Sequence, residues 1–248
     1  MLKYRNKFKI VCTVFLVIVL LYSSIKLGIY INEWYSNKKA NEKLSEGYHQ
    51  LDITRTNDTN TSKQQIDRFR DLLSINQDIV GWIKIPGTKI DYPVVQADNN
   101  QFYLNHNINK ERSSYGSIFM DYRSLRDGEL NTVIYGHNMK DGSMFSGLSQ
   151  YKKAEFYKSN PYIEYDSLGE VMKWKIFSVY IYNPDNKNFE VYFKDSEKYD
   201  QYLDEIINKS IYDTGIVVTK EDKILTLMTC SYERNNARLV IHAKKVAS

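Results

Sequence analysis

Cysteine is almost absent from this chain: Cys12 and Cys230 are the only two in 248 residues. Cys12 falls inside an apolar N-terminal run, so the two do not read as a disulfide, and no paired-cysteine spacing of a zinc site exists. Charge of one sign is also scarce. The formal net charge is +4, without a basic block, which speaks against a nucleic-acid partner. Proline (4) and glycine (11) are few beside 21 tyrosines. Aromatic side chains fit pleated, half-buried surfaces, so this balance predicts a β-rich domain. There are no internal repeats, and the length suits one sizeable domain with appendages. Asp98–Lys110 starts like a calcium loop but lacks the glycine and the closing glutamate of that motif, so no metal is expected there.

What is present begins with a basic N-terminus, Lys3, Arg5, Lys7 and Lys9, followed by the mostly apolar Ile10–Ile31. A bilayer-crossing helix needs about 20 residues. The run qualifies if it continues past Ser23, Ser24 and Lys26, whose ammonium can snorkel to the headgroups. A cleaved signal peptide is the alternative, but no small-x-small site follows the apolar core cleanly. Residues 1–31 therefore read as a cytoplasmic tail and uncleaved membrane anchor, with the remainder outside the cell. Asn32–Ser62 is polar and reads as a juxtamembrane stalk, helical at first and then flexible, with His49 solvated. Residues 63–248 read as the functional domain.

Within that domain, Lys63–Asp78 has helical spacing, with Ile66, Phe69, Leu72 and Leu73 on one face. Gly81–Gln96 changes to strand period around a Pro86-Gly87 turn. His106 sits in the polar segment that follows and is expected at the surface. Ser117–Met120 and Thr132–Tyr135 are short strands separated by an Asp127-Gly128 turn, and Ser143–Tyr157 is helical in part. Tyr162–Tyr165, Met172–Tyr182 and Phe189–Phe193 read as strands, and Asp195–Ser210 as a helix. About eight strands with a few short helices predict a mostly-β barrel and not a parallel α/β sheet.

The chain ends in two β-type runs around a polar loop. Ile224–Thr229 leads to Cys230, and Arg238–Val246 alternates Leu239, Ile241 and Ala243 against Val240, His242 and Lys244. On this alternation His242 is expected at the surface. Antiparallel pairing would set Cys230 beside Arg238, with Cα atoms about 4.5–5.5 Å apart. A thiol next to a guanidinium that keeps its charge is a candidate nucleophile. A lone cysteine at a strand end is ordinarily a small buried hydrophobe, and an arginine there an ordinary surface residue. His137 tips the balance, because it too follows a strand, Val133-Ile134-Tyr135, and a glycine. Strand ends on one side of a barrel cluster, so nucleophile, proton carrier and oxyanion donor could converge.

These residues resemble the sortase family of cell-wall transpeptidases. The resemblance rests on Thr226-Leu227-Met228-Thr229-Cys230, on Arg238 in the next strand, and on His137 in Y-G-H-N-M, behind an N-terminal anchor. It covers about residues 63–246. The helix at Lys63–Asp78, the stretch D-I-V-G-W-I-K-I-P-G-T-K-I-D-Y-P-V-V and the helix before the Cys-bearing strand point to class B.

The resemblance implies a closed eight-stranded barrel and a catalytic His137, Cys230 and Arg238. It implies attack by the Cys230 thiolate on a threonine carbonyl in the sorting signal of a secreted protein. An amine of a peptidoglycan precursor then resolves the acyl-enzyme, with no metal or organic cofactor. Asn100, Leu104 and Thr229 are expected to line the substrate groove. A free thiol with a pKa about 8.5 is only a few per cent thiolate at pH 7, so the site must select or create that form.

Three other readings remain at this point. A secreted cysteine peptidase would orient its histidine with an asparagine or aspartate. A pilin-polymerising sortase would carry a lid ahead of the barrel. A membrane-tethered binding domain would leave the three residues' coincidence without a reason.

Overall fold

The computed structural model describes residues 2–53, 69–124, 130–168, 170–183, 190–230 and 237–246, with the side chains of 2–6, 50–53 and 230 outside that description. Two compact units are distinguished, Met1–Lys43 and Leu44–Ser248. The first consists of most of helix α1 (Leu2–Ile53). Its apolar side chains from Ile10 to Ile31 are exposed, and by length and composition it could cross a membrane. The helix runs on to Ile53, through much of the polar segment predicted to loosen into a stalk.

The second unit is a closed barrel in the order β1-β2-β3-β4-β7-β8-β6-β5. Its strands are β1 (Ile79–Lys84), β2 (Asp91–Val95), β3 (Ile118–Met120), β4 (Asn131–Gly136), β5 (Tyr162–Ser167), β6 (Val171–Tyr182), β7 (Ile224–Cys230) and β8 (Arg238–Val246). Helix α2 covers 69–75, and residues 63–68 of the predicted helix lie outside the described residues. A 3-10 helix, Phe145–Lys152, and α3 (Ala154–Ser159) fill the segment read as partly helical. Helix α4 (Ser196–Asn208) begins where Asp195 caps it, its carboxylate accepting from the Lys198 backbone N–H at 2.9 Å. Tyr199, Leu203 and Ile206, spaced for one helical face, are buried.

Closure of the barrel corrects one strand expectation. In Phe189–Phe193, residues 190–193 are not strand, and Phe189 lies outside the described residues, as does the Asp127-Gly128 turn. β1 pairs with β5 and completes the ring, so no barrel edge is left for a further strand. The Glu190 carbonyl instead accepts from the Asn131 side chain at 3.0 Å.

The interior is filled from alternate positions, including Ile83, Val94, Ile118, Ile134, Leu225, Leu227, Leu239 and Ile241. Two further clusters lie outside the ring. Under α4, Tyr199, Leu203 and Ile206 pack on Phe177, Ile224, Met228 and Val240. On the other flank, Leu44 and Tyr48 of α1 join Phe69, Leu72 and Trp82. Tyr48 stacks on Trp82 with ring centroids 4.4 Å apart, and its hydroxyl donates to Asp166. Asp91 accepts from Trp82 Nε1 at 2.7 Å and from the Ser45 hydroxyl at 2.8 Å, and it pairs with His49 Nε2 at 2.9 Å. His49 is thus a docking residue and not a solvated one, and the barrel unit begins at Leu44, inside the segment assigned to the stalk.

Candidate active site

The strands that carry the site are neighbours: β4 runs parallel to β7, and β7 antiparallel to β8. Gly136 is paired with Thr229 at the end of the first ladder, so the next residues along are neighbours, His137 just past β4 and Cys230 the last residue of β7. Cys230 is paired directly with Arg238, and Arg238 with Tyr182 of β6. The register therefore gathers the backbones of His137, Cys230 and Arg238 at one end of the barrel. Neighbouring strands lie about 4.8 Å apart, so the three backbones lie within about two strand spacings of one another.

His137 is held from several sides. Its Nε2 lies 2.7 Å from the Leu104 carbonyl, which can only accept, so Nε2 carries a hydrogen. Its own carbonyl accepts from the Phe145 N–H at 2.8 Å. Two glycines make these approaches possible. A Cβ on Gly136 would stand 2.5 Å from Ile118 Cδ1 and 2.6 Å from Phe145 Cγ. Gly116 has φ +57°, and a Cβ there would stand 2.7 Å from the Leu104 oxygen that holds the imidazole.

Arg238 is half-buried, and its Nη1 donates to the Ala237 carbonyl at 3.3 Å. Leu104 is 40% exposed beside His137, as a groove residue would be. What sequence reasoning missed is that its backbone carbonyl also orients the histidine, a role no side-chain motif signals. Asn100 is committed elsewhere. Its Nδ2 donates to Asp121 at 3.0 Å, and its Oδ1 accepts from the Tyr122 N–H at 2.9 Å. Burial pushes the Asp121 carboxyl up, but hydrogen bonds from Arg123, Tyr135 and Asn100 outweigh it and hold the group below the usual carboxylate range. Thr229 is buried, and its hydroxyl makes no hydrogen bond among the described residues. His106 stacks on Phe102, and its Nδ1 lies 2.7 Å from the Phe102 carbonyl.

His242 overturns its assignment to the surface. It is fully buried, because α4 covers the outer face of β6, β7 and β8. Its Nδ1 lies 2.8 Å from the Thr226 hydroxyl and its Nε2 3.0 Å from the Tyr180 hydroxyl. Thr226 spends its one hydroxyl proton on Asn131 Oδ1 at 2.7 Å, so it accepts from His242 Nδ1–H, and Tyr180 donates to Nε2. The ring is neutral. Burial pulls its pKa down to about 3, with the Lys209 charge adding to the effect.

A closed barrel with a histidine, a cysteine and an arginine at the ends of three adjacent strands defines a class of β-barrel with the groups for acyl transfer. The Sortase domain family profile matches residues 83–246. The chain is 37% identical to a Listeria monocytogenes sortase B over 92% of both chains. It is 35% identical to a Staphylococcus aureus sortase B over 96% of this chain and 97% of the other. Among solved structures, a mutant form of Clostridium perfringens sortase B superposes with a TM-score of 0.78 at 36% identity, over 85% of this chain and 99% of that one. A Staphylococcus aureus sortase B–substrate complex gives 0.78 at 34%, over 86% and 98%.

The chain belongs to the sortase family, to its class B, and is a cysteine transpeptidase.

Proposed function

We propose that Cys230, His137 and Arg238 carry a transpeptidation that joins secreted proteins to the cell wall. The observation that carries this reading is the shared register of β4, β7 and β8 at one barrel end. Cys230 attacks the carbonyl of a threonine in the C-terminal sorting signal, and the peptide C–N bond breaks as His137 protonates the leaving amine. Arg238 donates to the developing oxyanion or positions the substrate backbone through its planar fork. An amine of a peptidoglycan precursor then attacks the thioester. Its proton passes to His137, the C–S bond breaks, and the thiolate is regenerated. Leu104, exposed beside His137, lines the donor groove, whereas Asn100 is held by Asp121 and the Tyr122 N–H and Thr229 is buried. The exposed apolar face of α1 supports a single-pass anchor, with the N-terminus cytoplasmic and the barrel facing the wall. The catalytic unit then starts near Leu44.

The test is to incubate full-length protein with sorting-type peptides, with and without amines, and weigh the products. The expected result is a Cys230 thioester followed by an amide to the added amine. Cleavage that needs no Cys230, or products that never contain the amine, would overturn the reading.

A further inference from the structure

Against the loop that follows His137 lies a cleft of about 650 Å³. It is lined by Lys89 from the β1–β2 turn, Asn138 and Lys140 from the loop after β4, and Ser146, Gly147 and Lys152 from the 3-10 helix. No carboxylate lines it among the described residues. Lys89 and Lys140 are exposed and make no ion pair among the described residues. Asp141, the acid of this loop, is turned away, accepting from the Tyr115 hydroxyl at 2.8 Å and from the Ser143 hydroxyl at 2.6 Å. Ser146 Oγ is buried without a hydrogen-bond partner among the described residues.

The cleft is built onto His137. The loop bridges back between Asn138 and Met144, and the 3-10 helix starts with the Phe145 N–H on the His137 carbonyl. A Cβ on Gly147 would stand 3.0 Å from Thr88 Cβ, so helix and β1–β2 turn meet closely enough for Lys89 and Lys152 to share the cleft.

We infer that this cleft holds an oxyanion group, carboxylate or phosphate, of the amine-bearing acceptor, and so delivers the amine to His137. The inference rests on the transfer reading above. Lys89, Lys140 and Lys152 all line the cleft beside the loop that follows His137, and an anion there is attracted by their charges.

The test uses full-length protein in a non-ionic detergent, with one sorting-type donor peptide and three acceptors: glycine amide, a glycine peptide with a free carboxylate, and an aminoalkyl diphosphate. Three charge pairs at this solvent-open cleft together amount to about a tenfold preference, so the KM of an oxyanion-bearing acceptor should lie about tenfold below that of glycine amide. Which of the two anionic acceptors gains tells carboxylate from phosphate. Lys89→Gln/Lys140→Gln/Lys152→Gln should erase the preference, and the double variant Lys89→Gln/Lys140→Gln should erase most of it. Inorganic diphosphate should bind the parent protein calorimetrically, and the triple variant should lose that binding. Equal acceptor KM values in parent and variant, or no diphosphate binding by the parent, would overturn the inference. Donor hydrolysis with no transfer to any of the three amines would overturn the transfer reading itself.

Discussion

Two stretches of the same strands use histidine in opposite ways. Midway along β8, His242 is sealed beneath α4, bonded to Thr226 of β7 and Tyr180 of β6, and held neutral. At the end of β4, His137 is half-exposed, with Nε2 on a backbone carbonyl. Four ring nitrogens of similar intrinsic basicity thus serve two purposes. Under the helix, desolvation removes proton exchange, and the ring links neighbouring strands through Thr226, Asn131 and Tyr180. At the barrel end the ring is held by the Leu104 carbonyl while solvent still reaches it.

The sharpest break of the comparison is at the open end. Cys230→Ala should abolish the thioester and turnover, read by intact mass after incubation with donor peptide, since Cys12 lies in α1. Arg238→Ala should lower kcat by about 10²–10³, as for an oxyanion donor, and Arg238→Lys should recover little of it. His137→Ala should lose at least about 10²-fold. None of the three should move the thermal midpoint much. Near-normal turnover by Arg238→Ala would remove its assigned role.

At the sealed position the expectation is reversed. His242→Phe leaves the hydroxyls of Thr226 and Tyr180 without their partner, at a cost of about 2–4 kcal/mol. The midpoint should drop by about 5–15 °C in calorimetry. Turnover well below the new midpoint should stay within about threefold of the parent. A large loss of turnover with no loss of stability would show that His242 belongs to the reaction after all.

The same pair can be separated by pH. His242 titrates near 6.5 when unfolded and near 3 when folded. The unfolded chain therefore binds the extra proton between those values, and stability contributed by the neutral ring is complete above 6.5 and lost as the pH falls toward 3. Denaturant melts across that window should show a steeper acid loss in the parent than in His242→Phe. Parallel curves would contradict a buried neutral ring.

The smallest effect concerns the docking segment of α1. A chain beginning at residue 63 lacks Tyr48 and His49 and uncovers Trp82, which is 2% exposed. It should be about 2–3 kcal/mol less stable in urea than one beginning at Leu44, from a lost aromatic stack and its buried area. Equal midpoints would show that the α1 contacts add nothing.

Local period and residue type were enough to read β7, β8 and α4 and to align Cys230 with Arg238, because a two-strand ladder around a short loop leaves little freedom in register. His137 was legible from a strand ending in glycine. The supports of His137 were not legible. The Leu104 carbonyl comes from 33 residues upstream, and Gly116 matters only because the chain returns beside that carbonyl. Residues 190–193 misled because branched and aromatic residues suit a strand, yet pairing needs an open edge and the ring has none.

Alternation along β8 determined from sequence that Leu239, Ile241 and Ala243 face the interior, since successive side chains must point to opposite faces. It could say nothing of what lies against the other face. That Val240 and His242 are buried too, and that one of this chain's histidines cannot titrate near neutrality, was decided by where α4 docks. Burial is a relation between segments distant in sequence, and no window along a single strand contains it.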